Sequence, residues 1–232
     1  MCTFQDNQDK IWDHYQNEGS FTFKIEVYGR FRYILRHISK DSKVLNIGVG
    51  GGQFEELAAK SHDIYCLDPN ERAISNLRSR LNIDETKAKT GYSTAIPYPD
   101  NYFDCVVMSE VLEHLSDEII QSTLLEIKRV LKSDGAFIGT VPASENLEDN
   151  RVYCPKCETS FHIWGHCQSF DRSRLHSVLA TCFSVKKLVD SPLINFRDRR
   201  FKGKVTGLFR LILYKLNLFK TCGSLFFVAK KN

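Results

Sequence analysis

A group of glycines directly after a short apolar run is the feature that most constrains the fold of this chain. Residues 44–47 are mostly apolar, and Gly48, Gly50 and Gly52 follow them. Glycine allows positive φ and a close approach of a ligand to the main chain. Apolar residues then recur at helical spacing over 54–58. The pattern predicts a buried strand, a tight turn and a helix whose first N–H groups face a ligand above the turn.

An acidic residue further along the chain narrows the choice of ligand. A second apolar run over residues 64–67 ends in Asp68 and Pro69, about 20 residues after Gly48. In a βαβ unit this spacing puts a carboxylate at the tip of the second strand, where it can accept hydrogen bonds from both ribose hydroxyls. Alternatively, Asp68 caps the helix that begins near Glu71. The glycines and the acid together favour the binding of a nucleoside.

Apolar runs and helical patterns alternate along most of the chain. The predicted strands after the second are residues 87–90, 105–109, 136–141, 183–189 and 224–230, with helical patterns over 74–81, 120–131 and 171–179. Alternation of this kind predicts right-handed crossovers and a parallel sheet. The predicted fold class is therefore α/β and doubly wound, with ligands at the carboxyl ends of the strands. Residues 1–40 are predicted to form an N-terminal helical cover on a domain of residues 41–232.

Three further segments make the chain similar to a known family. They are Ile96–Asp104 (IPYPDNYFD), Ser109–Leu115 (SEVLEHL) and Arg129–Gly135 (RVLKSDG). Together with the glycine turn and Asp68, they make residues 10–190 resemble the class I S-adenosylmethionine-dependent methyltransferases. The resemblance implies a Rossmann-like sheet of seven strands whose last strand is antiparallel.

The resemblance also implies which residues surround the cofactor. Those residues are Asn46, Gly48, Gly50, Gly52, Asp68, Pro69, Tyr92, Ser93 and Ser109. Two of them depart from the family pattern, because Asn46 replaces an acid of the first strand and Tyr92 replaces an Asp of the adenine loop. Asn46 can still accept a hydrogen bond, and Tyr92 can stack on or shield the base. We therefore expect binding of S-adenosylmethionine to survive both changes.

The chemistry of methyl transfer requires few protein groups. The sulfonium already activates the methyl group, so the enzyme mainly aligns an acceptor with it. A general base is needed only where the acceptor must lose a proton. His114, just beyond the fourth strand, is the predicted catalytic residue. Alternatively, His114 packs locally at the start of a helix.

Cysteines and histidines cluster in residues 150–170, after the fifth strand. The predicted zinc ligands are Cys154, Cys157, His162 and His166, with Cys167 as an alternative fourth ligand. A structural zinc site takes four sulfur or nitrogen ligands, so this zinc-knuckle-like insert meets the requirement. The alternatives are a redox pair, or unrelated thiols and surface histidines. Similar methyltransferases carry a CPxC…FHxxGH insert, which favours the second histidine over Cys167. We expect the insert to form part of the acceptor pocket wall.

Positive charge is concentrated near the C-terminus. Residues 195–232 hold ten of the 32 Lys and Arg residues but only one of the 28 acids. Basic and apolar residues alternate at helical spacing over 197–220, which predicts a basic amphipathic insert (195–222) between the sixth and seventh strands. Such a helix can lie in a membrane interface or pack on the domain while its lysines reach water. Few basic residues accompany the Cys/His insert, so nucleic acid is not an expected partner.

The predicted function is methyl transfer from S-adenosylmethionine to a small-molecule, saccharide or lipid-linked acceptor. One alternative is an RNA methyltransferase. Another is an inactive interaction protein that binds S-adenosylmethionine and zinc, which the changes at Asn46 and Tyr92 keep open. The first residues lack the features of a signal peptide, and no run reaches the roughly 18 apolar residues of a spanning helix. A cytoplasmic location is therefore expected, peripheral to a membrane if the basic insert binds lipid.

Overall fold

The computed structural model describes residues 10–14, 24–156, 158–191, 208, 212 and 223–231. Residues 10–14 are helical. The elements that follow are α1 (Lys24–Leu35), β1 (Lys43–Ile47), α2 (Gln53–Ala58), β2 (Asp63–Asp68), α3 (Glu71–Leu81), β3 (Ala88–Thr90), β4 (Phe103–Ser109), a 3₁₀ turn (Leu112–His114), α4 (Asp117–Val130), β5 (Leu131–Pro142), a second 3₁₀ turn (Leu147–Asn150), β6 (Arg151–Cys154), β7 (Thr159–His162), α5 (Arg172–Ala180), β8 (Phe183–Ser191) and β9 (Ser224–Lys231).

Seven of these strands form one sheet in the order β3-β2-β1-β4-β5-β9-β8. The first five run parallel to their neighbours, and β9 is antiparallel to both β5 and β8. The predicted seven-stranded Rossmann-like sheet with an antiparallel last strand is therefore confirmed. The strand order reverses between β1 and β4, and in such sheets ligands bind in the crevice at the carboxyl ends of the two strands.

The sheet is covered on both faces, which explains why its central strands are continuously apolar. Successive side chains of a strand point to opposite faces. Along β4, Val106 and Met108 pack with Ile120 and Leu124 of α4 on one side. On the other side, Val107 packs in the cluster that contains residues of α1, α2 and α3. All the loops at the carboxyl ends of the parallel strands consequently emerge at one edge.

The junction of α4 and β5 differs from the prediction. The helical pattern of apolar residues runs to Leu131, but α4 ends at Val130 and Leu131 begins β5. Leu131 pairs with Phe103, and after an irregularity Ala136 pairs with Cys105. Leu131 is fully buried in the same cluster as the α4 residues. A buried apolar side chain at this position fits both a helix and a strand, so the spacing of apolar residues could not show which of the two Leu131 belongs to.

A short hairpin, β6–β7, occupies the predicted Cys/His insert. Its register pairs Cys154 with Thr159 near the turn and Arg151 with His162 at the base. The chain then returns to the edge of the main sheet, where Ala143 forms a bridge with Phe170. This return places the hairpin base beside the carboxyl ends of β4 and β5.

The predicted basic insert at 195–222 lies outside the described residues except for Leu208 and Ile212. Both are helical and about half exposed. Within the part of the chain that the structure describes, no helix has the length and apolar character needed to cross a bilayer.

Candidate functional site

The glycine turn after β1 has the backbone geometry that its composition predicts. Gly48, Gly50 and Gly52 have φ of +86°, +50° and +75°, which side-chain-bearing residues rarely adopt. A Cβ added at Gly48 would lie 2.6 Å from Cγ2 of Val111, whereas one at Gly50 would meet no atom within 4 Å. The turn is therefore packed on one side at Gly48 and open above Gly50, as the approach of a ligand requires.

Asp68 at the tip of β2 is joined to this turn. Its side chain is buried, Oδ2 accepts a hydrogen bond from the backbone N–H of Val49 at 2.8 Å, and Oδ1 accepts one from Asn70 N–H at 2.9 Å. The residue that caps α3 is Asn70, whose Oδ1 accepts from Ala73 N–H at 3.0 Å. The helix-capping alternative for Asp68 is therefore wrong. A carboxylate offers about four lone-pair sites, so Asp68 can accept several hydrogen bonds at once.

Asn46 in β1 contacts a carboxyl group that the sequence analysis did not single out. Its Nδ2 donates to Oε1 of Glu55 at 2.6 Å and to the carbonyl of Gly48 at 3.2 Å. Glu55 is fully buried in α2. Burial raises the pKa of Glu55 to about 7, and the hydrogen bond from Asn46 offsets part of that rise. Where the family has an acid on β1, this chain therefore has the amide of Asn46, which is hydrogen-bonded to the carboxyl group of Glu55.

The other residues predicted around the cofactor lie along the same edge. Pro69 follows Asp68 at the end of β2, and the Tyr92 side chain is 51% exposed. The hydroxyl of Ser93 lies 2.7 Å from that of Thr123. At the end of β4, the Ser109 hydroxyl lies 2.8 Å from that of Thr140 in β5. The fold therefore brings the predicted positions to the carboxyl ends of β1, β2 and β4, with Tyr92 and Ser93 on the loop after β3.

The helical residues 10–14 lie over this edge. The ring of Trp12 contacts that of His114 edge-on at 4.9 Å between centroids. Asp13 Oδ1 accepts a hydrogen bond from Asn70 Nδ2 at 3.1 Å. These residues span the edge from the end of β2 to the turn after β4, and the N-terminal cover of residues 1–40 stays a prediction.

His114 lies within a group of acids and imidazoles that we call the Glu/His cluster, consisting of Glu113, His114, Glu145, His162 and His166. The two overlapping triads Glu113–His114–His166 and Glu145–His162–His166 each place one potential ligand atom per residue within 4.8 Å of the others. His166 Nδ1 lies 2.5 Å from Glu145 Oε2. The 3₁₀ turn after β4, the loop after β5 and the hairpin base meet here.

Burial dominates the electrostatics of the Glu/His cluster. It lowers the pKa of His114 to about 3, with the neighbouring His166 adding to the fall. It raises the pKa of Glu113 well above its usual range, and the charge of Glu110 adds to the rise. For Glu145, burial is outweighed by the hydrogen bond from His166 and by both nearby imidazoles, so the pKa is lowered. His114 is therefore neutral at physiological pH and only weakly basic.

The predicted zinc ligands are not all brought together. His162 and His166 stack at 4.6 Å between ring centroids. Cys154 sits at the far end of the hairpin, three residues from the position opposite His162, or about 10 Å along a strand. Cys157 is outside the described residues. The Cys167 thiol donates to the Glu113 carbonyl at 3.4 Å. The four-ligand zinc set thus stays a prediction, and the structure places Glu145 and Glu113, not Cys154, beside the histidines.

Comparison with known proteins identifies the domain. Residues 45–139 match the family described as "Methyltransferase domain". The chain is 29% identical over 115 residues to an uncharacterized methyltransferase of Schizosaccharomyces pombe, covering 44% of this chain and 41% of that protein. It is 26% identical over 120 residues to the ubiquinone/menaquinone biosynthesis C-methyltransferase UbiE of Yersinia enterocolitica, covering 48% and 47%. The chain thus matches less than half the length of either curated relative.

A solved structure shows that the likeness in fold extends over the whole chain. The 1,6-didemethyltoxoflavin-N1-methyltransferase of Burkholderia thailandensis, determined with 1,6-didemethyltoxoflavin and S-adenosylhomocysteine bound, superposes with a TM-score of 0.66. The match covers 100% of this chain and 92% of that chain at 15% sequence identity. At this identity the likeness establishes the fold.

Proposed function

Because this chain belongs to the class I S-adenosylmethionine-dependent methyltransferases, we propose that it transfers the methyl group of S-adenosylmethionine to a small-molecule acceptor. The observation that carries the proposal is the hydrogen bond from Val49 N–H to the carboxylate of Asp68. It fixes an acid beside a glycine turn that is open above Gly50. A turn and a carboxylate in this arrangement suit a nucleoside that carries a charged sulfonium.

The proposed cofactor contacts follow the order of the strands. The glycine turn holds the methionine part, Asp68 and Pro69 hold the ribose, and Tyr92 and Ser93 flank the adenine. The backbone at Ser109 faces the methionine amino group. Asn46 supports the glycine turn by donating hydrogen bonds to the Gly48 carbonyl and to Glu55. The exposed ring of Tyr92 offers an apolar face to the base in place of an acid.

In the proposed reaction an acceptor atom forms a bond to the methyl carbon as the carbon–sulfur bond breaks, and S-adenosylhomocysteine leaves. The chain's task is to align the acceptor and to exclude water. His114 is the proposed catalytic residue beside the reacting atoms. Its low pKa makes it a poor proton acceptor by itself, so we do not assign it the role of a general base. An acceptor that is already ionised, or whose proton is lost to another group, fits this environment best.

The proposed acceptor class rests on the relatives. The Yersinia relative is named for ubiquinone and menaquinone biosynthesis, and the Burkholderia structure contains bound 1,6-didemethyltoxoflavin. A saccharide or a lipid-linked acceptor remains within the proposal, and so does peripheral membrane contact through residues 197–220. A cytoplasmic location and a structural zinc are likewise predictions from the sequence alone.

Two measurements test the proposed function. Isothermal titration calorimetry of the full chain with S-adenosylmethionine and S-adenosylhomocysteine should show one site per chain. Transfer of a radiolabelled methyl group to cell extract, divided by solvent phase and by nuclease treatment, then identifies the acceptor class. Absence of cofactor binding by folded protein would overturn the proposal. Label that is lost after nuclease treatment would instead support the RNA alternative.

A further inference from the structure

We propose that Glu113, His114 and His166 bind a divalent transition-metal ion, such as Zn²⁺ or Fe²⁺, at the carboxyl edge of the sheet. Their potential ligand atoms lie within 4.8 Å of one another, and Nε2 of His166 lies 4.0 Å from Oε1 of Glu113. Metal–ligand bonds of about 2.0–2.2 Å would draw the three atoms closer by about 1 Å. Two of the residues belong to one turn and the third to the hairpin return.

The hydrogen bonds of the two imidazoles determine which ring nitrogen carries the lone pair. His114 Nδ1 lies 3.2 Å from the carbonyl oxygen of Gly165, which can only accept, so Nδ1 carries the proton. His166 Nδ1 lies 2.5 Å from the Glu145 carboxylate and likewise donates. In both rings the lone pair is therefore on Nε2. A metal-bound histidine that donates its other N–H to a carboxylate or a backbone carbonyl is the usual arrangement around protein metals.

The carboxylate of Glu113 points to a missing ligand. Its side chain is 1% exposed, and neither oxygen has a hydrogen-bond partner among the described residues. Ionising a buried carboxyl group that has no partner costs several kcal/mol. A divalent cation at this position would satisfy the oxygens. Glu110, one turn earlier, also has a buried Oε1 without a described partner, while its Oε2 lies 3.5 Å from Arg30 Nη1.

The second histidine of the insert has a different role in this arrangement. His162 Nδ1 accepts from the backbone N–H groups of Trp164 at 3.3 Å and His166 at 3.2 Å. Its proton is consequently on Nε2, which lies 3.4 Å from Glu145 Oε1 and makes no hydrogen bond with a described residue. The Glu145 carboxylate therefore lies beside His162 and orients His166 through its own hydrogen bond. His162 is not a proposed ligand, because its Nδ1 already accepts two backbone hydrogen bonds.

The donor set restricts the kind of ion. Two imidazole nitrogens and one carboxylate are typical of zinc and ferrous sites that leave coordination positions open for water or substrate. A closed structural site would need four protein ligands and, in the version predicted from the sequence, the Cys154 and Cys157 thiols. The two sites share His166 and cannot both be occupied, so one experiment can show which of them binds the ion.

The first test uses the unmodified chain. Protein treated with a chelator is loaded with Zn²⁺, and elemental analysis should find one ion per chain. X-ray absorption at the zinc edge should show only nitrogen and oxygen neighbours. Two sulfur neighbours would place the ion at the cysteines and overturn the proposal, as would protein that takes up no metal. Neither result depends on methyl transfer, so the proposed function is tested separately.

The second test uses variants, with Co²⁺ affinity as the readout. Glu113→Gln and His166→Asn should each weaken binding at least 100-fold, and Glu145→Gln should weaken it about 10- to 100-fold as an outer partner. Cys154→Ser and the matched exposed-acid control Glu148→Gln should change it less than 2-fold. Unchanged affinity in Glu113→Gln, or loss in Cys154→Ser, contradicts the proposal.

A stability measurement guards against variants that merely misfold. Without metal, Glu113→Gln should melt at or above the wild-type temperature, because it removes a buried unpaired carboxylate. With saturating metal the wild-type chain should gain stability and Glu113→Gln should not. A purely structural Glu113 would give the opposite result, a variant that is destabilised with and without metal.

Discussion

The side-chain amide of Asn46 donates a 2.6 Å hydrogen bond to the buried carboxyl of Glu55. The second oxygen of Glu55 has no hydrogen-bond partner among the described residues. The family carries an acid at the position of Asn46, and two acids at this distance could not both ionise. The amide and Glu55 thus form a matched pair, and the departure from the family pattern at β1 is compensated locally.

Replacing Asn46 with the family's acid should therefore harm this chain. Asn46→Asp removes the amide donor to Glu55 and sets two carboxyl groups against each other. We expect a loss of about 2–3 kcal/mol in the free energy of unfolding at pH 8, and a smaller loss at pH 5, where the pair can hold a proton. Urea denaturation at both pH values measures it, with exposed Asn76→Asp in α3 as the control. A variant as stable as the wild type at pH 8 would contradict the pairing.

Glu55 should also give the fold a measurable pH dependence. Its pKa is about 7 in the folded chain against an ordinary 4.5, so the folded state binds the proton more tightly than the unfolded state. The stability contribution is fully present below pH 4.5 and is lost as the pH rises through 7. A shift of this size corresponds to about 3 kcal/mol.

Glu55→Gln isolates that contribution, because its side chain is neutral throughout. Urea denaturation of both proteins from pH 4.5 to pH 8 should show the wild type losing about 3 kcal/mol relative to Glu55→Gln. All other titrating groups are common to the two chains and cancel. A difference that stays constant across this range would mean that the pKa of Glu55 is the same in the folded and unfolded chains.

The order of the elements was predictable because each central strand is a continuous apolar run ended by a glycine, an acid or a proline. Such runs must be buried on both faces, and only a parallel sheet covered by helices provides that. The antiparallel last strand came from the family resemblance. Where the sequence was ambiguous, as at Leu131, a buried leucine satisfied both the helix and the strand.

The Glu/His cluster was beyond the reach of local patterns. His162 and His166 are predictable as metal ligands because they lie four residues apart and near two cysteines. Their actual neighbours Glu113 and Glu145 are distant in sequence and meet them only because the loops after β4 and β5 emerge at one edge. Spacing rules detect ligands within one segment, so they favoured Cys154, which the hairpin carries away from the histidines. Asn46 and Glu55 likewise lie in different elements, β1 and α2, so spacing within one segment could not reveal their contact.

Asp68 should contribute to cofactor affinity, and its replacement with Asn should leave the fold intact. Asp68→Asn keeps one acceptor oxygen for the backbone bonds but removes the charge that ribose hydroxyls would contact. We expect S-adenosylhomocysteine binding to weaken about 10- to 100-fold, as for the loss of a hydrogen bond to a charged group. Asp63→Asn, at the opposite end of β2, is the matched control and should bind normally. Calorimetry on both variants decides, and equal affinities would remove Asp68 from the site.

Arg129 of α4 should be the main anchor of the loop between β3 and β4. Its guanidinium donates to the carbonyls of Ile96 at 2.8 Å and Tyr98 at 3.0 Å, and it pairs with Glu126 and Asp100, each at 2.7 Å. These bonds satisfy backbone groups of a loop that no strand pairs. Arg129→Met should therefore cost about 3 kcal/mol of unfolding free energy, because the carbonyls and Glu126 lose a charged donor together.

The control for Arg129 is Lys132→Met, which removes an exposed ion pair with Asp104. Exposed pairs contribute about 0–1 kcal/mol, so this variant should be nearly neutral. Arg129→Lys should behave like Arg129→Met, because an ammonium group cannot reach four acceptors in the plane of a guanidinium. Urea denaturation of the three variants shows whether the positive charge of Arg129 or its planar geometry holds the loop. If Arg129→Lys retains wild-type stability, charge alone holds the loop and the planar geometry of the contacts is unimportant.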